Sequence, residues 1–200
     1  MIGVVDYEAG NISSVANALS AIGVKFTVSS DKDKLNQCNG IILPGVGAAP
    51  GAMASLRKRG LTDFLTSFEL PFLGICLGMQ LLYQSSEEGG TKCLGILQGS
   101  VKKFDGSLTK VPHMGWNDVK FISRNELMKG LIKSDYFYFA NSYYAEVDSA
   151  TIGTATEGVC FAAAVVKDNF FGVQFHPEKS AKSGLMLLKN FDDICKSFQR

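Results

Sequence analysis

Apolar residues in the first half of the chain come in two rhythms, short unbroken runs and stretches with one apolar position every three or four residues. Ile2 to Val5 is a β-rich run, and Asp6-Tyr7-Glu8-Ala9-Gly10 reads as its exit turn. Asn11 can cap a helix that places Ile12, Val15, Leu19 and Ile22 on one face and ends at Gly23. Strands are predicted at Val24 to Val28 and Gly40 to Leu43, both apolar enough to be covered on two sides, as parallel strands are. Pro44-Gly45-Val46-Gly47 breaks the pattern, a helix follows within Gly51 to Phe68, and Phe72 to Ile75 is the next strand. The order β-α-β-β-α-β-α predicts an α/β fold with an open, mostly parallel sheet flanked by helices.

From Leu94 the texture changes. Short β-like runs (Ser100 to Phe104, Asp118 to Ile122, Tyr136 to Tyr144, Ile152 to Thr156, Cys160 to Val166, Phe170 to Phe175) alternate with turn pairs such as Asp105-Gly106, Glu157-Gly158 and Asp168-Asn169. These predict antiparallel strands added to the sheet in the C-terminal half. Ser183 to Phe198 closes the chain as an amphipathic helix with Leu187, Leu188, Phe191, Ile194 and Phe198 inward. No repeat or linker divides residues 1–200, so one domain is expected.

Leu70 to Gln80 is the stretch around which the rest is organised. An apolar strand rises to Cys76, Gly74 and Gly78 stand two residues to either side, and a helical pattern follows through Leu77, Leu81 and Leu82. Strand, sharp turn and helix with cysteine at the apex is the form of a nucleophile elbow. Its glycines admit close strand–helix packing, and its helix start favours a thiolate. A buried structural cysteine before an amphipathic helix fits the same residues. His176 ends an apolar strand in Phe175-His176-Pro177-Glu178, where proline holds His176 extended. Residues two apart then share a side, so Glu178 can meet one imidazole nitrogen and leave the other for a thiol. A plain turn is the alternative there.

Charge and cysteine content narrow the classes. Twenty Lys and Arg against nineteen Asp and Glu, well mixed, leave no footprint for nucleic acid or an anionic membrane. Met1 to Asp6 lacks a basic, long-apolar leader, and no apolar run approaches ~18 residues, so neither a signal peptide nor a membrane span is expected. Cys38, Cys76, Cys93, Cys160 and Cys195 are odd in number and widely spaced. That argues for a reducing, cytoplasmic setting and against a disulfide frame or a metal site. No metal, nucleotide or flavin motif is present, so no cofactor is expected.

Gly-x-Cys-x-Gly-x-Gln followed a hundred residues later by His-Pro-Glu resembles the class I, or triad, glutamine amidotransferases, over nearly the whole chain. Pro44-Gly45-Val46-Gly47, Val111-Pro112-His113-Met114-Gly115-Trp116-Asn117 and His176-Pro177-Glu178-Lys179-Ser180 narrow the likeness, with Asp6-Tyr7 and Gly10-Asn11. Together they resemble the family of glutaminase subunits of imidazole glycerol phosphate synthase. The resemblance implies that Cys76 attacks the side-chain amide of L-glutamine, His176 shuttles the proton and Glu178 orients His176. It implies an oxyanion hole from the N–H of Leu77 and an amide near Val46 or Gly47, with Gly45 and Gly47 allowing close approach. Gln80, Ser142 and Tyr143 would hold the amino-acid head of glutamine, and Trp116 and Lys179 would lie toward a partner.

That partner is expected to be a separate (β/α)8-barrel cyclase in a heterodimer, since 200 residues leave no room for a synthase domain. Ammonia passed to it would yield imidazole glycerol phosphate and the purine intermediate AICAR in histidine biosynthesis. Asn141 departs from the pattern, because the family most often carries histidine before Ser142-Tyr143. A sister system feeding a sugar amidotransferase therefore stays open, as do a non-catalytic assembly subunit and a free-standing cysteine hydrolase. His113 can line the pocket, face the partner or fill a polar spot beside Met114.

Overall fold

The computed structural model describes residues 1–8, 11–132 and 134–198, so Ala9 and Gly10 of the expected exit turn lie outside the described residues. The first half holds β1 (Ile2–Val5), α1 (Ile12–Ala21), β2 (Phe26–Ser29), α2 (Lys32–Asn36), β3 (Gly40–Leu43), α3 (Ala49–Lys58), α4 (Leu61–Thr66), β4 (Phe72–Ile75) and α5 (Leu77–Gln80). The second half holds β5 (Ser85–Ser86), β6 (Thr91–Lys92), β7 (Ser100–Lys103), β8 (His113–Phe121), β9 (Ser134–Asn141), β10 (Tyr143–Ala145), β11 (Thr151–Glu157), β12 (Val159–Lys167), β13 (Phe170–Val173) and α6 (Ala181–Ser197).

These strands join one sheet. Its parallel part runs β2-β1-β3-β4-β13, with β13 inserted beside β4 in the register Val173 to Ile75. From β12 outward the pairing is antiparallel through β10 to β7, and β11 leads off β12 to the long β8–β9 hairpin. The mixed α/β architecture is the one expected. Successive strand residues feed two cores. Val4, Ile42, Leu73 and Val173 pack with Val15 and Leu19 of α1 and Leu187 and Phe191 of α6. Val5, Ile41, Leu43 and Phe72 pack on the other face with Leu56, Leu61 and Met79.

Several elements differ from expectation for local reasons. The helix sought within Gly51 to Phe68 is two, α3 and α4, because Gly60 at φ +64° turns the chain between them. The helix after Cys76 is a single turn. The run Tyr136 to Tyr144 is broken at Ser142 into β9 and β10. The helix α2 is too short to show a period, and is nucleated by Asp31, whose carboxylate accepts the N–H of Asp33 at 2.9 Å. Phe198, expected inward, is the residue after α6 and is 44% exposed. Asn11 precedes α1 as foreseen, but its side chain caps nothing there.

The glycines of the elbow are explained by contact. A Cβ on Gly78 would run into the carbonyl oxygen of Leu43, and one on Gly74 would lie 2.6 Å from the carbonyl oxygen of Gly78. Gly78→Ala is therefore expected to lower stability by about 1–3 kcal/mol. Gly51→Ala, in α3 with open space around it, should instead raise stability by about 0.5–1 kcal/mol. Urea denaturation of both variants checks the pair.

Candidate active site

Cys76 sits at the carboxyl end of β4 with φ +53° and ψ −110°, a backbone state that side-chain-bearing residues rarely adopt. Its N–H donates to the Val173 carbonyl at 2.8 Å, which ties the elbow to the neighbouring strand β13. Three residues past the end of that strand comes His176, buried and extended at φ −99° and ψ 95°. Pro177 then opens a 3-10 turn through Lys179. Glu178 reaches His176 from within this turn rather than along an extended segment. Its Oε1 lies 2.8 Å from His176 Nδ1, and both side chains are almost wholly buried.

Burial works against a charged imidazole here. The hydrogen bonds and charges of Cys76 and then Glu178 outweigh it and lift the His176 pKa from 6.5 to about 10. The buried Gln174, two residues before His176 and so on the same side of the chain, donates from Nε2 toward the Cys76 sulfur at 3.7 Å. Gln80 Nε2 in turn donates to Gln174 Oε1 and to the Tyr143 carbonyl, each at 2.9 Å. Asn11 supports the far side. Ser14 Oγ donates to its Oδ1 at 2.7 Å, which turns its amide nitrogen toward Glu178 Oε1, 3.4 Å away.

A cavity of about 240 Å³ opens on these groups, lined by Val46, Gly47, Cys76, Leu77, Gln80, Ser142, Tyr143, His176 and Lys179 from among the residues singled out in the sequence. Gly45 is not on that lining. Its Cβ position lies 2.6 Å from the Gly78 nitrogen and 2.7 Å from Leu77 Cβ, so its place is packing beneath the elbow. Trp116 is also off the lining. It is 53% exposed on β8, and meets Tyr138 edge-on, over whose ring the Lys179 ammonium sits at 5.8 Å.

Two lining residues escaped the sequence reading, Glu88 and Ala140, and Asn141, noted there as a departure from the family pattern, lines the cavity as well. Glu88 is the one carboxylate on the cavity among the described residues, and its Oε2 accepts the Ala49 N–H at 2.7 Å. Nothing in the sequence marks it, because it comes from a short 3-10 turn between β5 and β6. Asn141 donates from Nδ2 to the Tyr143 carbonyl at 2.9 Å. His113 lies off the cavity, stacked on Phe139 with centroids 5.0 Å apart and 3.5 Å from Glu157. Burial lowers its pKa. No cluster of His, Cys, Asp and Glu among the described residues could hold a metal ion.

The family of class-I glutamine amidotransferases matches residues 3–194. Imidazole glycerol phosphate synthase subunit HisH of Dehalococcoides mccartyi is 46% identical over 197 residues, 96% of each chain. The protein of the same name from Archaeoglobus fulgidus is 42% identical over 198 residues, 98% of this chain and 100% of its own. A solved glutamine amidotransferase structure shares the fold with a TM-score of 0.75, at 19% identity over 98% of both chains.

The raised His176 pKa has a direct readout. An NMR titration of the ring should show it charged through neutral pH and losing its proton near pH 10. In Cys76→Ala and in Glu178→Gln the midpoint should fall. The sign for stability follows: this contribution is fully present below about 6.5 and is lost as pH rises through about 10.

Proposed function

The chain belongs to the class-I glutamine amidotransferase family, and from that premise we propose that it hydrolyses L-glutamine to L-glutamate and ammonia on Cys76. The observation that carries this reading is that Cys76 and His176 line one cavity, with His176 bonded at 2.8 Å to a buried Glu178 that lies off the lining. The Cys76 thiolate attacks the side-chain amide carbon. The carbonyl electrons move to oxygen, which the N–H of Leu77 and an amide at Val46 or Gly47 would receive.

The same step makes the acid. Cys76, together with Glu178, holds the proton on His176. Once sulfur bonds to carbon its support is gone, and the imidazolium becomes a stronger acid beside the leaving nitrogen. It protonates that nitrogen, the C–N bond breaks, and ammonia leaves a γ-glutamyl thioester. Neutral His176 then takes a proton from water, whose oxygen attacks the thioester and releases glutamate. Glu178 keeps the ring oriented and its charge balanced throughout. Glu88 is placed to receive the substrate's α-ammonium, while Gln80, Ser142 and Tyr143 bound the rest of the amino-acid head.

The ammonia is passed to a cyclase partner of the kind whose glutaminase subunits carry the name of the two curated relatives. Acceptor chemistry in histidine biosynthesis is preferred over the sugar amidotransferase alternative on those names, although Asn141 replaces the usual histidine. A (β/α)8-barrel subunit would dock as a heterodimer on the outer face of the β8–β9 hairpin. Met114, Trp116 and Tyr136 are exposed there at 64%, 53% and 61%, an apolar patch that reaches the cavity rim through Tyr138 and Lys179. No helix of the described residues is long and apolar enough to cross a membrane, and a cytoplasmic setting suits the five free thiols.

Cys76→Ala should abolish glutamine-dependent synthesis by the assembled enzyme, while synthesis from added ammonium salt survives. Retained glutamine turnover would overturn the assignment. Glu88→Gln should raise the KM for glutamine by roughly 10- to 100-fold, the worth of one charge-assisted hydrogen bond. Ammonium-dependent synthesis should again be untouched, and steady-state kinetics on both nitrogen sources separate the two effects.

A further inference from the structure

The strands β1 and β3 are parallel neighbours with Val4 opposite Ile42, so the residues leaving them at the carboxyl edge, Tyr7 and Pro44, emerge side by side. Tyr7 is completely buried, and its hydroxyl donates to the Pro44 carbonyl at 2.8 Å. Its own carbonyl accepts from Ser55 Oγ on α3. Proline has no N–H, so this carbonyl is its one main-chain hydrogen-bonding group. The next residue, Gly45, is wedged against Leu77 and Gly78. At the far end of the segment the Ala49 N–H is held by Glu88 Oε2 at 2.7 Å. Between these anchors Val46 is 39% exposed, and Gly47, at φ +92°, has open space around its Cβ position. No backbone hydrogen bond of Val46 or Gly47 is found among the described residues.

We propose that Tyr7 is a positioning residue for glutamine hydrolysis: its hydroxyl fixes the entry of the segment that carries the oxyanion donor, so that only the peptides around Val46 and Gly47 can turn. The inference rests on the glutaminase reading. Burial raises the Tyr7 pKa, so the phenol stays a donor through the working range. A donor set on a loop held at one end alone would lose its aim when charge develops on the substrate oxygen, and aim is what an oxyanion hole supplies. Glu88 extends the logic, because the carboxylate proposed to receive the substrate's ammonium also fastens the segment's other end.

Tyr7→Phe removes one oxygen and keeps the ring. Two probes are used on the full chain: an aldehyde analogue of glutamine, and L-glutamate. The Cys76 thiolate adds to the aldehyde carbon, the carbonyl electrons move to oxygen, and the His176 imidazolium supplies the proton that completes a thiohemiacetal whose oxygen lies in the hole. Glutamate fills the same pocket without adding. Tyr7→Phe should bind the aldehyde tenfold or more weakly and glutamate within twofold of the parent. With partner present, kcat for glutamine should fall by a similar factor and KM should hold. Ser55→Ala, which loosens the Tyr7 main chain, should give a smaller loss of the same kind. Tyr83→Phe, which removes a buried hydroxyl without a hydrogen-bond partner among the described residues, should leave both affinities unchanged. Unchanged aldehyde binding in Tyr7→Phe, or equal loss for aldehyde and glutamate, would overturn the proposal. A parent chain whose aldehyde binding is no tighter than that of Cys76→Ala would overturn the glutaminase reading itself, and this inference with it.

Discussion

Everything at the site depends on how closely the elbow after β4 is pressed against the sheet. Cys76 is held at φ +53°, a conformation that costs of order 1–3 kcal/mol and persists only where the surroundings enforce it. The enforcement is steric and polar together. Gly45, Gly74 and Gly78 leave no Cβ between strand and helix, and Gly172 of β13 lies so close to Met79 that its Cβ would sit 2.7 Å from that side chain. The Cys76 N–H on Val173 and the Gln80 N–H on the Cys76 carbonyl, at 2.8 and 3.1 Å, lock both sides of the turn. A methyl group at any of these glycines would push the sulfur out of line with His176.

The parallel pairing then brings the remaining parts together without long-range design of each. Strands β1, β3, β4 and β13 lie adjacent and point the same way, so four chain segments emerge at one edge. They deliver Tyr7 with Asn11, Pro44 to Gly47, Cys76, and His176 with Glu178. Ligands of open α/β sheets sit at this carboxyl edge for the same reason. The antiparallel extension closes the cavity from the side, through Ala140, Asn141, Ser142 and Tyr143 at the break between β9 and β10.

Legibility in the sequence followed from whether a residue's role is local. The elbow, the His-Pro-Glu stretch and the buried parallel strands are readable because their chemistry and spacing lie within a few residues. Glu88 was not readable, since its place on the cavity depends on a four-residue excursion between two-residue strands with no pattern of its own. Gln174 carried a usable signal, two residues before His176 within the run Phe170 to Phe175 that reads as a strand. Asn11 looked like a helix cap by residue type, but the carboxylate it faces lies 167 positions away. Gly45 was read as a substrate-contacting glycine, whereas the contact that excludes its side chain is with the elbow. Sequence shows that a Cβ is unwelcome; only the fold shows what it would strike.

The five thiols show why environment rather than burial marks the nucleophile. Burial, opposed by Arg57 and aided by Glu88, pushes Cys93 up to about 11, and burial reinforced by Asp192 pushes Cys195 up to about 12. A thiol surrounded only by apolar atoms has nothing to stabilise its negative charge. Cys76 is as buried as Cys93, at 6% and 7% exposure, yet it faces an imidazole held charged to about pH 10 and the Gln174 amide. Those two groups are positioned to stabilise negative charge on the reacting sulfur, whereas burial holds Cys93 and Cys195 as thiols. Low exposure at Cys76 then serves the chemistry, because the reactive sulfur meets the small cavity and whatever fits it rather than bulk solvent. Reactivity is set by the histidine and the amide, and access by the walls.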